Sequence, residues 1–281
     1  MNMVRWNKLG IIAGGGSLPL AIAEQCQREQ KPVHIISLKG MMDKPAEGFD
    51  CTECDIVQAG RIFSVLRAEN CDAVVMAGNV QRPDFKSMRP DWRGTALLAR
   101  LSAAALKGDG ALLATLVDVF EAEGFLVIGA EEAMGHVTPD LGAMGQIAPD
   151  EDDLHDIAKA RSVIEALGPY DVGQGAIVAE GQVLAIEAAE GTDAMLERCI
   201  GLQQQLSIAT PRGVLVKIPK PGQELRVDLP TIGPLTIEGC ERAGLRGIAL
   251  KAGAALILER ETTCKLAEQA GLFLYGFANT K

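Results

Sequence analysis

The first half of the chain alternates short apolar segments with longer segments of helical periodicity, and this alternation constrains the fold more than any other feature. Strands are predicted over 8–13, 33–38, 73–77 and 125–128. Helical patterns cover 19–30, 61–69 and 94–106, and a further one ends near 123. Strands that alternate with helices form parallel sheets with helices on both faces. The sequence therefore predicts an α/β fold with a parallel sheet in the first half.

The second half of the chain follows a different pattern. The periodicity lapses over 135–150, where Gly, Pro and Asp are frequent, and this predicts a linker. Beyond it, helices are predicted over 152–167, 192–204 and 235–243 and from 260, with strands over 214–218 and 272–275. Two pairs of short strands are predicted as hairpins, 176–179 with 183–187 and 247–250 with 255–258. This predicts a second α/β domain with a mixed sheet.

The charge of the chain disfavours a nucleic-acid partner. The net charge is −10 at pH 7. Residues 1–150 carry 14 basic and 19 acidic side chains and the rest carry 13 and 18, so each half has a charge of −5. Neither half has the basic face that nucleic acid needs. An anionic ligand would require a local group of basic side chains or a metal ion.

Cysteine usage and hydropathy predict a soluble, cytoplasmic protein. The seven cysteines are scattered and odd in number, which is typical of reduced thiols. Cys51 and Cys54 have a CxxC spacing, but no second pair follows at the distance of a zinc ribbon. No apolar run approaches the roughly 18 residues of a transmembrane helix. Any membrane contact is therefore expected to be peripheral.

A glycine loop after the first strand is the first candidate ligand site. In IIAGGGSLP, the residues Gly14, Gly15, Gly16 and Ser17 join the strand to a helix. Such a turn allows backbone N–H groups to approach a phosphate at the helix N-terminus. The spacing is not GxGxxG, which disfavours a dinucleotide site, and the absence of GxxxxGK[ST] excludes a P-loop. The alternative is a tight turn that binds nothing.

Two further loops of the first half carry polar candidates. The segment GNVQRP directly follows the strand 73–77, which places Asn79 and Arg82 where open α/β sheets bind ligands. Arg82 suits a phosphate, and Asn79 suits a base or a ribose. Together with the glycine loop they predict one nucleotide crevice. Asp109, in KGDG, is either a ligand contact or the N-cap of the next helix.

The densest polar stretch is KPGQELRVDLPTIG, residues 220–233. Arg226 and Asp228 are two residues apart, so in an extended segment they share a face. A carboxylate there suits Mg²⁺, which proteins typically hold with one or two carboxylates plus substrate phosphates. Lys217, Lys220 and Arg226 would neutralise the phosphates. The alternative is a structural ion pair between Arg226 and Asp228.

A second polar group flanks the first predicted hairpin of the second half. It comprises Gln174, Glu187, Thr192 and Asp193. Thr192 is a natural helix N-cap, whereas a carboxylate at Glu187, at the end of an apolar strand, is harder to explain structurally. The three histidines are not clustered and no GxSxG motif occurs, which disfavours zinc hydrolases and serine nucleophiles. Phosphate chemistry here would depend on carboxylates and a hard cation.

Six motifs, in order through both halves, together resemble one known family. They are IIAGGGSLP, AGNVQRPDF, KGDGALL, DVGQGAIVAEG, VLAIEAAEGTDAML and KIPKPGQELRVDLPTIG. They are similar to the LpxI-type UDP-2,3-diacylglucosamine pyrophosphatases of lipid A biosynthesis. The resemblance implies a Rossmann-like domain over 1–134 that binds the UDP part. It also implies a linker over 135–150 and a C-terminal domain over 151–281 that binds the diacyl sugar and carries catalysis.

The resemblance also implies a reaction and its partners. Members of the family cleave the pyrophosphate of UDP-2,3-diacylglucosamine with water, giving UMP and 2,3-diacylglucosamine 1-phosphate (lipid X). The resemblance implies a need for Mg²⁺ or Mn²⁺, peripheral association with the cytoplasmic face of the inner membrane, and a homodimer. Two other classes stay open: an NAD(P)-dependent oxidoreductase built on the first domain, and a nucleotide-sugar sensor that binds without turnover.

Site residues follow from the motifs that match. The aspartate of the family's Arg-x-Asp-Leu-Pro motif falls on Asp228, which the resemblance implies is catalytic and acts with the metal. After Gln223 the family often has aspartate, where this chain has Glu224 and keeps the charge. The matched nucleotide-side residues are Gly14, Gly15, Gly16, Ser17, Asn79 and Val80, and those near the pyrophosphate and sugar are Thr192, Asp193 and Gln223. With Arg82, Asp109, Gln174, Lys217 and Arg226, these are the predicted substrate contacts.

Overall fold

The chain divides into two compact units in a computed structural model that describes residues 6–80, 92–106, 108–135, 137–205 and 212–278. Unit 1 comprises Met1–Gly135 together with Glu224–Val227, and unit 2 comprises His136–Gln223 and Asp228–Lys281. Unit 1 therefore includes a short segment from the second half of the chain. The assignment of nucleotide and sugar to separate domains stays a prediction.

Unit 1 is built on a five-stranded parallel sheet. Its strands are β1 (Leu9–Ala13), β2 (Val33–Leu38), β3 (Cys51–Cys54), β4 (Ala73–Ala77) and β5 (Leu126–Val127). Its helices are α1 (Leu18–Arg28), α2 (Ala59–Ala68), α3 (Trp92–Ala105), α4 (Asp109–Ala122) and α5 (Ala130–Met134). The strand order is β3-β2-β1-β4-β5, with every neighbouring pair parallel. The chain order reverses between β1 and β4, which is where doubly wound sheets bind ligands.

The strand β3 was not predicted from the sequence and accounts for the CxxC spacing. Its four residues, CTEC, are short and polar, as is common at a sheet edge. Cys51 is exposed and Cys54 is buried, and both thiols are free. Burial raises the pKa of Cys54, which makes its thiol less reactive. In the described ranges, no group of three or more His, Cys, Asp or Glu side chains is arranged to hold a metal ion.

Unit 2 is built on a six-stranded mixed sheet, as predicted. Its strands are β6 (Gly142–Ala143), β7 (Gly175–Ala179), β8 (Gln182–Ile186), β9 (Val214–Lys217), β11 (Gly247–Lys251) and β13 (Phe273–Phe277). Two further strands, β10 (Thr231–Ile232) and β12 (Leu256–Ile257), form a separate parallel pair. The helices are α6 (Glu151–Leu167), α7 (Gly191–Gln205), α8 (Pro234–Arg242) and α9 (Arg260–Gln269). The order in the large sheet is β6-β13-β11-β9-β7-β8.

The two faces of the large sheet pack against different helices, and β9 shows the alternation. Val214 and Val216 belong to a core that includes side chains of α6. Leu215 belongs to the core of the opposite face, which includes side chains of α7 and α8. Because successive side chains of a strand point to opposite faces, Lys217 follows Leu215 onto the face covered by α7 and α8. The sheet therefore directs this lysine inward.

One predicted hairpin is confirmed and the other is wrong. β7 and β8 pair antiparallel, and their turn is held by Asp156, whose carboxylate accepts the N–H groups of Glu180 and Gly181 at 3.0 and 2.8 Å. β11 and β12 do not pair with each other. β11 lies between β9 and β13, parallel to both, whereas β12 pairs with β10. Gly253 has a φ of +69°, so a turn does occur there, but pairing with distant strands decides where the chain goes next.

Part of the predicted linker belongs to the unit 2 sheet. Gly142 and Ala143 form β6, which pairs antiparallel with Gly276 and Tyr275 of β13. A Cβ on Gly276 would lie 1.7 Å from the Asp140 carbonyl oxygen, so the close approach of the chain there requires glycine. In the described part of the chain, no helix is both long and apolar enough to span a membrane.

Candidate active site

Asp228 lies in unit 2 between two glutamine side chains. Gln174 donates from Nε2 to the Asp228 Oδ1 at 2.9 Å. Gln223 donates from Nε2 to the Asp228 backbone carbonyl at 2.6 Å. Among the described residues, the second carboxylate oxygen of Asp228 accepts no hydrogen bond. The half-buried carboxylate is therefore oriented through one oxygen while the other stays open to a ligand.

Backbone contacts fix the two glutamines in turn. Gln174 immediately precedes β7, and its carbonyl oxygen accepts the N–H of Ile218 at 3.0 Å. Gln223 accepts the N–H of Lys220 at its Oε1 at 2.6 Å and donates its own N–H to the Lys220 carbonyl at 3.1 Å. The Lys220 ammonium pairs with Asp171. The two side chains that hold Asp228 are therefore themselves anchored to the ends of strands and to a tight turn.

A buried ionic cluster, formed by Glu187, Thr192 and Lys217, lies at the same end of the large sheet. Lys217 is only 5% exposed. Its Nζ donates to the Thr192 Oγ1 at 2.6 Å and to the Thr231 carbonyl at 3.2 Å. Thr192 donates from Oγ1 to the Glu187 Oε1 at 2.9 Å, and the Glu187 Oε2 lies 4.0 Å from the Lys217 Nζ. The buried ammonium is thus compensated, as its desolvation requires.

This network revises two expectations from the sequence. The hydroxyl of Thr192 binds the side chain of Glu187, so the interpretation of Thr192 as a helix N-cap is wrong. The sequence offered no structural reason for a carboxylate at Glu187. The structure provides one, because Glu187 lies beside the buried charge of Lys217. Contact of Lys217 with a phosphate stays a prediction, because the ammonium already has internal partners.

Two glycines of the DVGQG motif lie so close to Glu187 that a side chain at either position would clash with it. A Cβ on Gly173 would lie 1.9 Å from the Glu187 carbonyl oxygen, and a Cβ on Gly175 would lie 2.5 Å from the Glu187 Oε2. Gly175 directly follows Gln174 and pairs with Lys217 in the register of β7 and β9. The buried ionic cluster and the Asp228–Gln174 pair are therefore neighbours along the same strand ends.

Arg226 binds other partners than the predicted ones. Residues 225–227 form a turn, so the expected extended segment is wrong. The guanidinium binds both carboxylate oxygens of Glu224, at 2.9 and 2.8 Å, and it binds Glu121 at 2.6 Å. These contacts raise the pKa of Arg226, and Arg226 holds the pKa of Glu224 below its usual range. The alternative ion pair between Arg226 and Asp228 is therefore also wrong, and contact of Arg226 with substrate stays a prediction.

In unit 1 the glycine loop and Asn79 come together at the reversal point of the sheet. The backbones of Gly15 and Asn79 exchange two hydrogen bonds, at 2.8 and 2.9 Å. Gly14 donates its N–H to Ala77 at 2.8 Å, and Gly16 donates to the Asp43 Oδ2 at 2.7 Å. The three glycine amides are therefore all bonded within unit 1, and a phosphate at this loop would have to replace one of these acceptors.

Close packing explains why the loop is made of glycine. A Cβ on Gly14 would lie 2.5 Å from the Asn79 carbonyl oxygen. Gly78 has a φ of +88°, and a Cβ there would lie 2.3 Å from the Gly15 carbonyl oxygen. Asp43, which takes the N–H of Gly16, was not among the residues singled out from the sequence. It lies 27 positions away from Gly16, and no local pattern marks it.

Comparison with known families assigns the whole chain. The model of the LpxI N-terminal domain matches residues 8–137, and that of the LpxI C-terminal domain matches residues 140–275. The chain belongs to the LpxI family. A curated relative from Caulobacter vibrioides, named UDP-2,3-diacylglucosamine pyrophosphatase LpxI, is 46% identical over 271 residues. That alignment covers 96% of this chain and 97% of the relative.

Solved structures add nothing to the LpxI assignment. One is a putative NAD-dependent epimerase/dehydratase from Methylobacillus flagellatus, which aligns with 96% of this chain over 83% of its own. Another is the complex of leucoanthocyanidin reductase with NADPH from Vitis vinifera, which aligns with 97% of this chain over 78% of its own. Each is 12% identical with a TM-score of 0.29, which is too low to support an argument on fold or function.

For the remaining predicted contacts of this LpxI chain, the structure gives only the local position of each. Ser17 precedes α1 and makes no side-chain capping bond. Val80 is 46% exposed, and Asp193 is exposed in the first turn of α7. Arg82 lies outside the described residues, and of Asp109 only the backbone is described, as the first residue of α4. Their roles as substrate contacts stay predictions.

The carboxylate oxygen of Asp228 is a suitable ligand for a divalent cation, which the resemblance to LpxI implies. Mg²⁺ prefers hard oxygen ligands and is commonly held by one or two carboxylates together with substrate phosphates. Asp228 offers one oriented carboxylate with an open oxygen. The described residues contain no acidic cluster that would enclose the ion without substrate. The site therefore fits a cation that is shared with a phosphorylated ligand.

Proposed function

We propose that this protein hydrolyses the pyrophosphate bond of UDP-2,3-diacylglucosamine in lipid A biosynthesis, giving UMP and 2,3-diacylglucosamine 1-phosphate. Membership of the LpxI family supports the reaction class, since the curated relative carries the name of this activity. The single observation that carries the proposal for the site is the carboxylate of Asp228, which Gln174 orients through one oxygen while the other stays open, with Gln223 holding the Asp228 backbone carbonyl.

The residues of the chain would contribute positioning and charge. The open oxygen of Asp228 is a hydrogen-bond acceptor for the attacking water, and Gln174 fixes its direction. Gln174 is a neutral donor, so it orients the carboxylate without cancelling its charge. Positioned general-base groups typically contribute about 10²–10⁴-fold in rate. Thr192 and Asp193, in the first turn of α7, lie on the element that follows β8 and are proposed to contact the sugar side of the substrate.

A divalent cation is part of the proposal. Mg²⁺, or Mn²⁺ in its place, would be held by Asp228 together with the substrate phosphates. When bound, it would offset the negative charge of the pyrophosphate, which otherwise repels an incoming water. The chain itself has a net charge of −10, and the proposed cation would supply local positive charge for a doubly anionic substrate.

The setting of the reaction is proposed on the resemblance alone. A substrate with two acyl chains resides in a membrane surface, so we propose that the protein works peripherally at the cytoplasmic face of the inner membrane. A homodimer is proposed on the same ground.

The experiment is a product assay with UDP-2,3-diacylglucosamine in mixed micelles. UMP is quantified by chromatography and the lipid product is weighed by mass spectrometry, with Mg²⁺, with Mn²⁺ and with EDTA. We expect stoichiometric UMP and sugar 1-phosphate with either metal, loss of both in EDTA, and recovery when metal is restored.

A different result would contradict each part of the proposal. Unchanged turnover in EDTA would contradict the role of the cation but keep the hydrolysis. Tight binding of the substrate without product under any metal would contradict the hydrolysis and favour a nucleotide-sugar sensor.

A further inference from the structure

Glu187 has an incomplete set of hydrogen bonds within the buried ionic cluster. Its Oε1 accepts the hydroxyl proton of Thr192, whereas its Oε2 is buried, has no hydrogen-bond partner in the described part of the chain and faces the Lys217 ammonium at 4.0 Å. A buried ion pair seldom adds stability over an apolar replacement, and a buried unbonded oxygen calls for an explanation. Compensation of the Lys217 ammonium explains why a carboxylate lies here, and the hydrogen bond to Thr192 gives that carboxylate a second effect.

The two charged residues fix the hydrogen-bonding direction of Thr192. A hydroxyl has one proton to donate and two lone pairs that accept. Thr192 donates its proton to Glu187 at 2.9 Å, and one lone pair accepts an N–H of Lys217 at 2.6 Å. One lone pair remains. The hydroxyl of Thr192, a half-buried residue, thus has one lone pair for a hydrogen bond from a ligand but no proton left to donate.

We propose that Glu187 is a positioning residue that presents Thr192 as a hydrogen-bond acceptor to a hydroxyl or amide N–H of the substrate's sugar. The proposal rests on the proposed function, and it names which part of the substrate this site takes. Phosphate oxygens of a nucleotide sugar only accept hydrogen bonds at neutral pH, so they do not match Thr192 held in this way. An acylated glucosamine offers both free hydroxyls and an amide N–H.

Replacing Glu187 by glutamine tests the direction of the hydrogen bond to Thr192, because it keeps the shape of the side chain. In Glu187→Gln, the amide oxygen turns toward the Lys217 ammonium, because the NH₂ group would face a cation there. The NH₂ group then donates a hydrogen bond to the Thr192 hydroxyl. The proton of that hydroxyl is no longer bound to residue 187 and can be donated to the ligand. The acceptor becomes a donor with no change of volume. We expect KM for UDP-2,3-diacylglucosamine to rise about tenfold with kcat unchanged, as for loss of one hydrogen bond made equally in ground and transition states.

A double-mutant cycle separates positioning from a general effect. Thr192→Val, which removes the hydroxyl, should raise KM by the same factor. Adding Glu187→Gln to Thr192→Val should then have no further effect, because both changes act through one hydroxyl. The affinity for UMP, which lacks the acylated glucosamine, should be equal in all four proteins. Glu197→Gln is the control, because Glu197 is exposed on α7, the helix that carries Thr192. Its KM and its affinity for UMP should match those of wild type.

The outcomes are distinguishable. Multiplicative KM effects in the double variant, or a fall of UMP affinity in Glu187→Gln, would overturn the proposal. If wild type binds the substrate without turnover, the proposed function is wrong, and the same ratios measured as Kd by calorimetry test the positioning role. Thermal melts of each variant identify any that do not fold, and Thr192→Val alone then decides whether the hydroxyl contributes to binding.

Discussion

Asp228 is oriented by a neutral amide, and this choice has chemical consequences. An arginine two residues away would have cancelled the carboxylate charge, but Arg226 binds Glu224 and Glu121 instead. Gln174 leaves the charge available to a water or a cation. The sequence identified both Gln174 and Asp228 as candidates but did not pair them, since 54 positions separate them. The spacing of Arg226 and Asp228 placed them on one face only because it assumed an extended backbone, whereas a turn forms there.

The contact of Gln174 predicts a rate effect without a binding effect. Gln174→Met keeps the length of the side chain and removes the donor, so Asp228 keeps its charge but loses its orientation. We expect kcat for UMP release to fall about tenfold, the worth of roughly one hydrogen bond, with KM unchanged. Gln182→Met, at an exposed position of β8, is the matched control. A kcat equal to wild type in Gln174→Met would show that the carboxylate needs no such support.

At the scale of elements, the candidate site is made from the ends of strands. Gln174 precedes β7, Glu187 follows β8, and Lys217 ends β9. The sequence predicted the β7–β8 hairpin because a local turn specifies it. It did not predict the β10–β12 pair or the position of β11, because parallel pairing between distant strands leaves no local pattern. Elements defined by neighbours in sequence were therefore predictable, and elements defined by distant pairing were not.

The glycine loop of unit 1 gives a prediction about stability. A Cβ on Gly14 would lie 2.5 Å from the Asn79 carbonyl oxygen, and because the nearest atoms all belong to the backbone of Gly78 and Asn79, they cannot move away without shifting the chain. We expect Gly14→Ala to lower the free energy of unfolding by about 1–3 kcal/mol, the usual cost of overpacking. Calorimetry would detect it as a lower Tm, at about 2–4 °C per kcal/mol for a chain of this size class.

Gly201→Ala is the matched control for that substitution. Gly201 lies in α7, and apart from the adjoining backbone of that helix no described atom lies within 4 Å of an added Cβ, so alanine should stabilise the helix by about 0.5–1 kcal/mol. A Gly14→Ala protein as stable as wild type would show that the loop can open by itself. Its glycines would then serve a ligand rather than packing.

At the scale of the whole molecule, the sequence predicted the α/β class and the family, because the LpxI motifs run through both halves. It did not predict that Glu224–Val227 would belong to unit 1. Val227 packs against the aromatic core of that unit, and a segment of this length has no periodicity that could mark it. The overall charge of −10 and the single oriented carboxylate are the features on which the proposal of a cation at the site rests.

The central claim is the proposal that Asp228 is the catalytic carboxylate of the hydrolysis. The kcat of Asp228→Asn tests it most directly. This variant keeps the volume and the capacity to bond Gln174 while removing the charge. In the UMP-release assay with saturating substrate and Mg²⁺, we expect kcat to fall about 10²–10⁴-fold, the range for loss of a positioned catalytic group. The exposed control Asp152→Asn should match wild type, and both variants should keep the wild-type Tm. A kcat for Asp228→Asn close to that of wild type would contradict the account and place the catalytic carboxylate elsewhere.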